Sequence, residues 1–450
     1  MKKRTLFLVT SFIIGISHAQ IKFETSSLQG IISTAKKENK LIFLQLMSPE
    51  CKQCNDVADK AFEVPRLNIL DNNFVFIKLS AEHPDRNAVN KQYNTANFAG
   101  TLFLNNEGIL IHRFNATTSN ADSYIQQGDI AIQKSRSTDN IAALEKAFKS
   151  GNNNIEFLEK YIIKRNELTL PIDSLLDQYV LLIPPDSARS LRLLQFIASH
   201  APMLNSRADS VLRRDYSLFN KAWYILSLQQ RVSINNRIIS KSQRKAIETK
   251  NIDYINKVAA FATSINSNPN SGAKVSEQIL LEYYRGVKDT VNYIKKAISF
   301  YDRFLMSVSV DDIKKNDSLT RAAIFKNTPG DTINMGEGLI SIEKKIGFNP
   351  RTQVFAGELN AGAWEIYNMT NDFAKLNKAL EWSKRATEFY ESPEDLDTYA
   401  RLLYKTGNKE EGIEQEKKAI DLQKKRKFSA IEYERVLKRM MDNAAVIDDK

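Results

Sequence analysis

Hydrophobic positions in the first third of the chain switch repeatedly between helical spacing and short continuous runs. Leu28, Ile31, Ile32 and Ala35 recur at helical spacing between Ser27 and Glu38, and Asn39-Lys40 closes that run. Leu41 to Leu46 follows directly, six residues of which five are apolar, and reads as a buried strand. From Cys51 a second helical pattern turns Val57, Ala58, Ala61 and Phe62 inward, breaks near Pro65, and resumes through Leu67, Ile69 and Leu70. Phe74 to Leu79 is the next expected strand, Asn87 to Tyr93 a short helix, and Thr101 to Leu104 a third strand. Asn105-Asn106-Glu107-Gly108 has hairpin composition, so Ile109 to Phe114 should return antiparallel. Ser119-Asn120-Ala121-Asp122 reads as a capping box that opens a helix through Tyr124, Ile125, Ile130 and Ile132. The order helix, strand, helix, strand, helix, strand, strand, helix predicts an α/β sandwich around a mixed sheet over residues 20–138.

After that the pattern changes. Asp139 is expected to cap a helix carrying Ile141, Leu144 and Phe148, which Ser150-Gly151 ends. Helical periodicity then dominates, broken by Pro171, by Pro184-Pro185-Asp186, by Asn266 to Gly272 and by Pro329-Gly330-Asp331, with strand patterns nearly absent. These breaks divide the rest into helical hairpins over 139–305, a loop-rich connection over 306–354, and helical repeats over 355–450. Ala379 and Gly412, and again Ala386 and Ala419, are each 33 residues apart. With Thr398-Tyr399-Ala400, Leu403-Tyr404 and Gly407-Asn408 this resembles a tetratricopeptide repeat, whose period is about 34 residues. Glu282-Tyr283-Tyr284 through Ala297 reads as a diverged third copy. The stripe Trp364, Tyr367, Trp382, Phe389 and Tyr390 is expected to be solenoid core, with a concave face left over for a peptide or protein partner.

Charge changes this picture little, and the N-terminus changes it more. The formal net charge is +11, of which Lys2, Lys3 and Arg4 carry three. Residues 20–135 hold twelve basic and twelve acidic side chains, so the remaining surplus is a mild bias of the helical region. Lys424-Lys425-Arg426-Lys427 is its one tight cluster and reads as a solvated helix face, not a nucleic-acid patch. Lys2-Lys3-Arg4, the apolar run Leu6 to Ile16 and Ser17-His18-Ala19 have the layout of a secretory signal peptide over residues 1–19. The run is short of the ~20 apolar residues that a spanning helix needs. No transmembrane segment is expected in the mature chain, and export would put it where disulfides persist.

Cys51 and Cys54 are the only cysteines, and they follow the buried strand at Cys-x-x-Cys spacing. At a helix N-terminus the unsatisfied N–H groups and the helix dipole favour a thiolate, the reactive form of cysteine. Strand, dithiol, helix and Gly-terminated hairpin together resemble the thioredoxin family, particularly its exported or membrane-facing branch, over residues 22–135. That resemblance implies Cys51 as attacking thiol and Cys54 as resolving thiol, with the Cys51–Cys54 disulfide as the redox group and no other cofactor. It also implies three departures. Glu50 stands where the family has an aromatic residue; its carboxylate opposes a Cys51 thiolate while Lys52 favours one. Gln45 stands where many members bury an acid that manages protons. Gly100, just before Thr101, stands where the family has a cis-proline, so this loop should run trans or adopt a glycine-only geometry. His83, His112 and His200 share no ligand spacing, and no metal site is expected.

Two functions are consistent with this reading. The first is a periplasmic or envelope thiol–disulfide oxidoreductase whose helical region docks a protein client or redox partner. The alternative is a non-catalytic envelope binding or scaffold protein carrying a degenerate thioredoxin-like module, which Gln45, Glu50 and Gly100 would favour.

Overall fold

In the N-terminal region, each element starts and stops where its flanking residues require. The computed structural model describes residues 21–48, 51–95, 98–184, 190–334, 340–343 and 347–443. Helix α1 (Leu28–Glu38) begins where Ser27 accepts the Gly30 N–H and ends at Asn39, which takes a left-handed conformation that asparagine tolerates. Strand β1 (Leu41–Leu46) leads to α2 (Lys52–Phe62), a 3-10 segment (Pro65–Asn72), β2 (Phe74–Leu79) and α3 (Arg86–Tyr93). The hairpin β3 (Gly100–Leu104) and β4 (Leu110–Phe114) and helix α4 (Ala121–Arg136) complete the set. The sheet order is β2-β1-β3-β4, with β1 parallel to β2 and the other pairs antiparallel. This is the expected small α/β region with a mixed four-stranded sheet.

Strand alternation sorts the core into two layers. Phe43, Phe74, Phe76 and Phe103 face Ala58, Ala61 and Phe62 of α2 and Tyr124 and Ala131 of α4. Ile42, Leu44, Leu46, Ile77, Leu102 and Leu104 face Ile31 and Ala35 of α1 and Val89 and Tyr93 of α3. The second layer continues without a break into six helices: α5 (Ile141–Lys149), α6 (Ile155–Glu167), α7 (Asp173–Leu181), α8 (Leu191–Ser199), α9 (Arg207–Arg213) and α10 (Tyr216–Ile225). The first compact unit accordingly runs to Ile234, and the second starts at Asn235, inside α11 (Leu228–Glu248).

Two caps differ from expectation by one residue. Asn120, not Ser119, accepts an N–H at the start of α4, from Asp122 at 3.0 Å. Asn140, not Asp139, caps α5 through the Ala143 N–H at 2.9 Å, while Asp139 pairs with Lys160 at 2.8 Å. In both cases the residue immediately before the first helical turn has the geometry to reach the open N–H groups.

The second unit is largely helical: α12 (Ile252–Ser264), α13 (Pro269–Gly286), α14 (Thr290–Tyr301) with a π turn (Asp302–Met306), and α15 (Val310–Asn327). It continues through α16 (Arg351–Met369), α17 (Phe373–Phe389), α18 (Pro393–Lys405), α19 (Lys409–Lys425) and α20 (Ile431–Met441). The stretch 306–354 is not loop-rich, because it holds α15 and an antiparallel hairpin of β5 (Asp331–Asn334) and β6 (Ile340–Glu343). Charge hid the helix: it buries few apolar side chains, Ile313 among them, and its Asp317 does a capping job elsewhere. Pro350 precedes α16 and has no side-chain acceptor, and the Asp317 carboxylate accepts the Arg351 and Thr352 N–H groups, both at 2.9 Å.

Residues 355–425 lie in two helical hairpins, α16–α17 and α18–α19, packed through α17 and α18. Tyr367, Trp382 and Phe389 are buried, and Trp364 and Tyr390 pack against the same core. The aromatic stripe is therefore core, as its spacing implied. Ala379, Ala386, Gly412 and Ala419 are all buried at the helix contacts. Among the described residues no helix is long and apolar enough to cross a membrane.

Candidate dithiol site

The dithiol turn is assembled from the end of β1, the start of α2 and two side chains that satisfy the backbone between them. The Met47 N–H donates to Leu79 O at 3.0 Å, so β1 keeps its register with β2 up to the turn. At Ser48 the backbone N–H donates to Asn55 Oδ1 (2.8 Å), and the Asn55 amide donates back to Ser48 O (2.9 Å). The Ser48 hydroxyl oxygen accepts the Cys51 N–H at 3.1 Å. Asn55, one turn into α2, thus pins the entry of the turn to the helix that carries the cysteines.

Cys51 is the N-cap of α2, and its Sγ accepts the Cys54 N–H at 3.1 Å. The two cysteines form a disulfide with their Cα atoms 5.2 Å apart. Both are half-buried, whereas Lys52 and Gln53 between them are exposed. A sulfur held on the open N–H groups of a helix gains most when it is ionised, through charge-assisted hydrogen bonding and the helix dipole. Glu50 lies outside the described residues.

Gln45 and Thr101 meet, as neighbours in the β1–β3 register. The Thr101 hydroxyl donates to Gln45 Oε1 at 2.7 Å, and Gln45 Nε2 donates to Leu46 O at 3.3 Å, with both side chains buried. By alternation Gln45 points to the same face as Phe43, the face that α2 covers. Its amide is therefore bonded at both ends inside the protein, and it offers no acidic proton relay. Gly100 pairs with Leu46 and has φ +149°, and no described peptide bond is cis. A Cβ added at Gly100 would stand 2.3 Å from Phe114 O, so the loop both runs trans and takes a geometry that only glycine fits.

Ser48, Asn55 and Arg86 were not singled out by the sequence pattern. Ser48 and Asn55 flank the dithiol, and a polar pair bracketing a Cys-x-x-Cys turn was a readable sign. Arg86 carried none. It is 4% exposed and donates to Met47 O (2.9 Å), Leu79 O (3.2 Å) and Phe98 O (3.4 Å). These bonds tie the ends of β1 and β2 to the loop before β3. Burial lowers the Arg86 pKa, against the pull of Glu82.

The Asn55 clamp gives a direct expectation. Asn55→Ala removes both bonds to the Ser48 peptide and should cost the oxidised protein about 1–3 kcal/mol in denaturant unfolding. A variant with unchanged stability would mean that water replaces the clamp without loss.

No protein-family model matches this chain, and no curated protein matches it either. The functional reading therefore rests on the geometry of the dithiol itself.

Proposed function

We propose that the protein is an exported thiol–disulfide oxidoreductase with a thioredoxin-like module, whose helical region docks a polypeptide client or redox partner. The observation that carries this is the placement of Cys51 Sγ on the N-terminus of α2, bonded to the Cys54 N–H and linked to Cys54. The strand order, the dithiol at the end of a central strand and the helices on both faces support the module. The hairpins over 355–425 support a tetratricopeptide-like docking region.

In the reducing direction, the Cys51 thiolate attacks one sulfur of a client disulfide. The client S–S bond breaks, a Cys51–client disulfide forms, and the other client sulfur leaves as a thiolate that takes up a proton. Cys54, deprotonated, then attacks Cys51 Sγ, which expels the second client thiolate and forms the Cys51–Cys54 disulfide. Two electrons have passed to the client, and a dithiol donor must return them. Run backwards, the same steps oxidise a client dithiol. The bonded Gln45 amide means that solvent, not a buried acid, takes the Cys54 proton.

The scaffold reading draws on that same amide and on Gly100, whose conformation alters the edge that meets a substrate. A mixed-disulfide experiment separates the two. Cys54→Ser should retain client proteins from an envelope extract through Cys51, released by dithiothreitol. The wild-type pair should titrate as a two-electron couple between about −270 and −120 mV. If Cys54→Ser captures nothing and a thioredoxin-type donor cannot reduce the wild-type pair, the oxidoreductase reading fails.

A further inference from the structure

Within the second unit, helices α13, α14 and α16 line a pocket of about 170 Å³ that opens to solvent. Its walls combine carboxylates with aromatic rings. Glu282 comes from α13, Glu358 and Glu365 from α16, and Tyr293 and Tyr301 from α14.

The charges do not cancel. Arg285 is the one basic residue in the lining, and it lies 3.4 Å from Glu282 and 3.5 Å from Glu365, longer than a well-formed charged hydrogen bond. Lys274, outside the lining, matches Glu358 at 2.8 Å. Three carboxylates against two cations give the pocket mouth one negative charge in excess, on side chains that are 31–43% exposed.

The phenols point the same way. Tyr293 and Tyr301 are 3% and 7% exposed, and their hydroxyls, which hydrogen-bond to none of the described residues, stay accessible from the pocket that they line. Burial first, and then the neighbouring Glu365, raise the Tyr293 pKa; burial, Tyr293, Glu358 and Glu365 raise that of Tyr301. Both stay neutral, with oxygen lone pairs free to accept. The Tyr301 ring seats on Gly362, where an added Cβ would fall 2.2 Å from the ring, so its position is fixed by the absence of a side chain there.

A cavity that offers carboxylates and phenol oxygens beside an apolar wall is complementary to a compact donor that carries positive charge. We propose that it binds an organic cation, a primary ammonium on a short aliphatic arm of the kind a lysine side chain presents. A guanidinium suits it less, since Arg285 already spans Glu282 and Glu365 with the flat fork that such a group would need. The ammonium's three donors can reach a phenol oxygen and a carboxylate together, while its methylenes lie against the apolar wall of Leu281, Phe300 and Ala361. This site does not depend on the dithiol.

Calorimetric titration of the full chain tests it, using N-acetyl-lysine methylamide, n-butylammonium and the uncharged N-acetyl-norleucine methylamide. The lysine compound should bind saturably, at least about tenfold tighter than the norleucine compound, and more weakly in high salt. Butylammonium binding equally well would assign the site to free alkylammonium ions; weaker binding would assign it to a lysine side chain of a polypeptide. Glu365→Gln and Tyr293→Phe should each weaken binding with little change in melting temperature. Tyr293→Phe removes only a hydroxyl, which keeps the test readable if Glu365→Gln does not fold. A Cys51→Ser/Cys54→Ser double variant should bind as the wild type does, so failure of the redox reading leaves this one standing. Equal affinity for the norleucine compound, no saturable heat with either cation, or unchanged affinity in both variants would overturn the proposal.

Discussion

Phe43→Ala is expected to cost the first unit about 3–5 kcal/mol, the range for truncating a fully buried aromatic ring. Phe43 is wholly buried on the central strand β1, and six rings surround it: Phe23, Phe62, Phe74, Phe76, Phe103 and Tyr124, with centroids 5.0–6.5 Å away. They come from both neighbouring strands, from α2 and α4, and from the segment before α1, so no single element can move in to fill the hole. Against a typical total of about 5–15 kcal/mol, such a loss leaves this unit marginal. The consequence reaches the dithiol, because β1 and α2 hold the two sides of the Ser48–Cys54 turn. Urea unfolding followed by near-ultraviolet circular dichroism would measure the loss. Phe43→Leu, which refills most of the volume, should recover more than half of it. A cost under about 1 kcal/mol for Phe43→Ala would show that the ring cluster is not the core of this layer.

That cluster also explains why so much of this region was legible beforehand. Continuous apolar runs at 41–46 and 74–79 mark strands that are buried on both faces, which spacing alone makes legible. The same runs carry no information about what covers each face. Nothing in the spacing of Leu158, Tyr161, Ile162 or Leu176 distinguishes a helix packed on the sheet from one in a separate bundle, yet these residues share one core with Ile42 and Leu44. At the site, Cys51, Cys54 and Gln45 were readable because their spacing along β1 and the dithiol turn defines them, and Gly100 because it stands just before the strand that enters the hairpin. Arg86 was not, because its role is to satisfy carbonyls of Met47, Leu79 and Phe98, and strand ends that meet in space leave no mark in the order of residues. In the second unit, charge concealed structure twice. Asp317 sat in a stretch too polar to read as helix, and Glu416 shares the inward face of α19 with Gly412, Ala419 and Ile420, where the spacing points to burial but the carboxylate reads as solvated.

Glu416→Gln is expected to change how the second unit responds to pH. The Glu416 side chain is fully buried in α19, and neither carboxyl oxygen meets a donor among the described residues. Asp397 and Arg401 face it from α18, joined to each other at 2.8 Å, and Tyr433 faces it from α20. Burial, and then the Asp397 charge, push the Glu416 carboxyl up to about 9, with Arg401 pulling the other way. Two ionised carboxylates can only accept, so it is the proton on Glu416 that provides a donor toward Asp397. Between about pH 4.5, where the unfolded side chain ionises, and about pH 9, the folded protein holds a proton that the unfolded chain has released. Stability therefore falls as pH rises through that window, by at most about 1.4 kcal/mol per pH unit, the limit for one proton. Glutamine keeps a neutral donor at this position and cannot ionise, so the variant should lose this part of the slope. Relative to the wild type it should gain stability steadily from pH 5 to pH 9 in denaturant midpoints of the second unit's transition. Parallel profiles for the two proteins would show that Glu416 is already ionised at neutral pH and that Arg401 outweighs its burial.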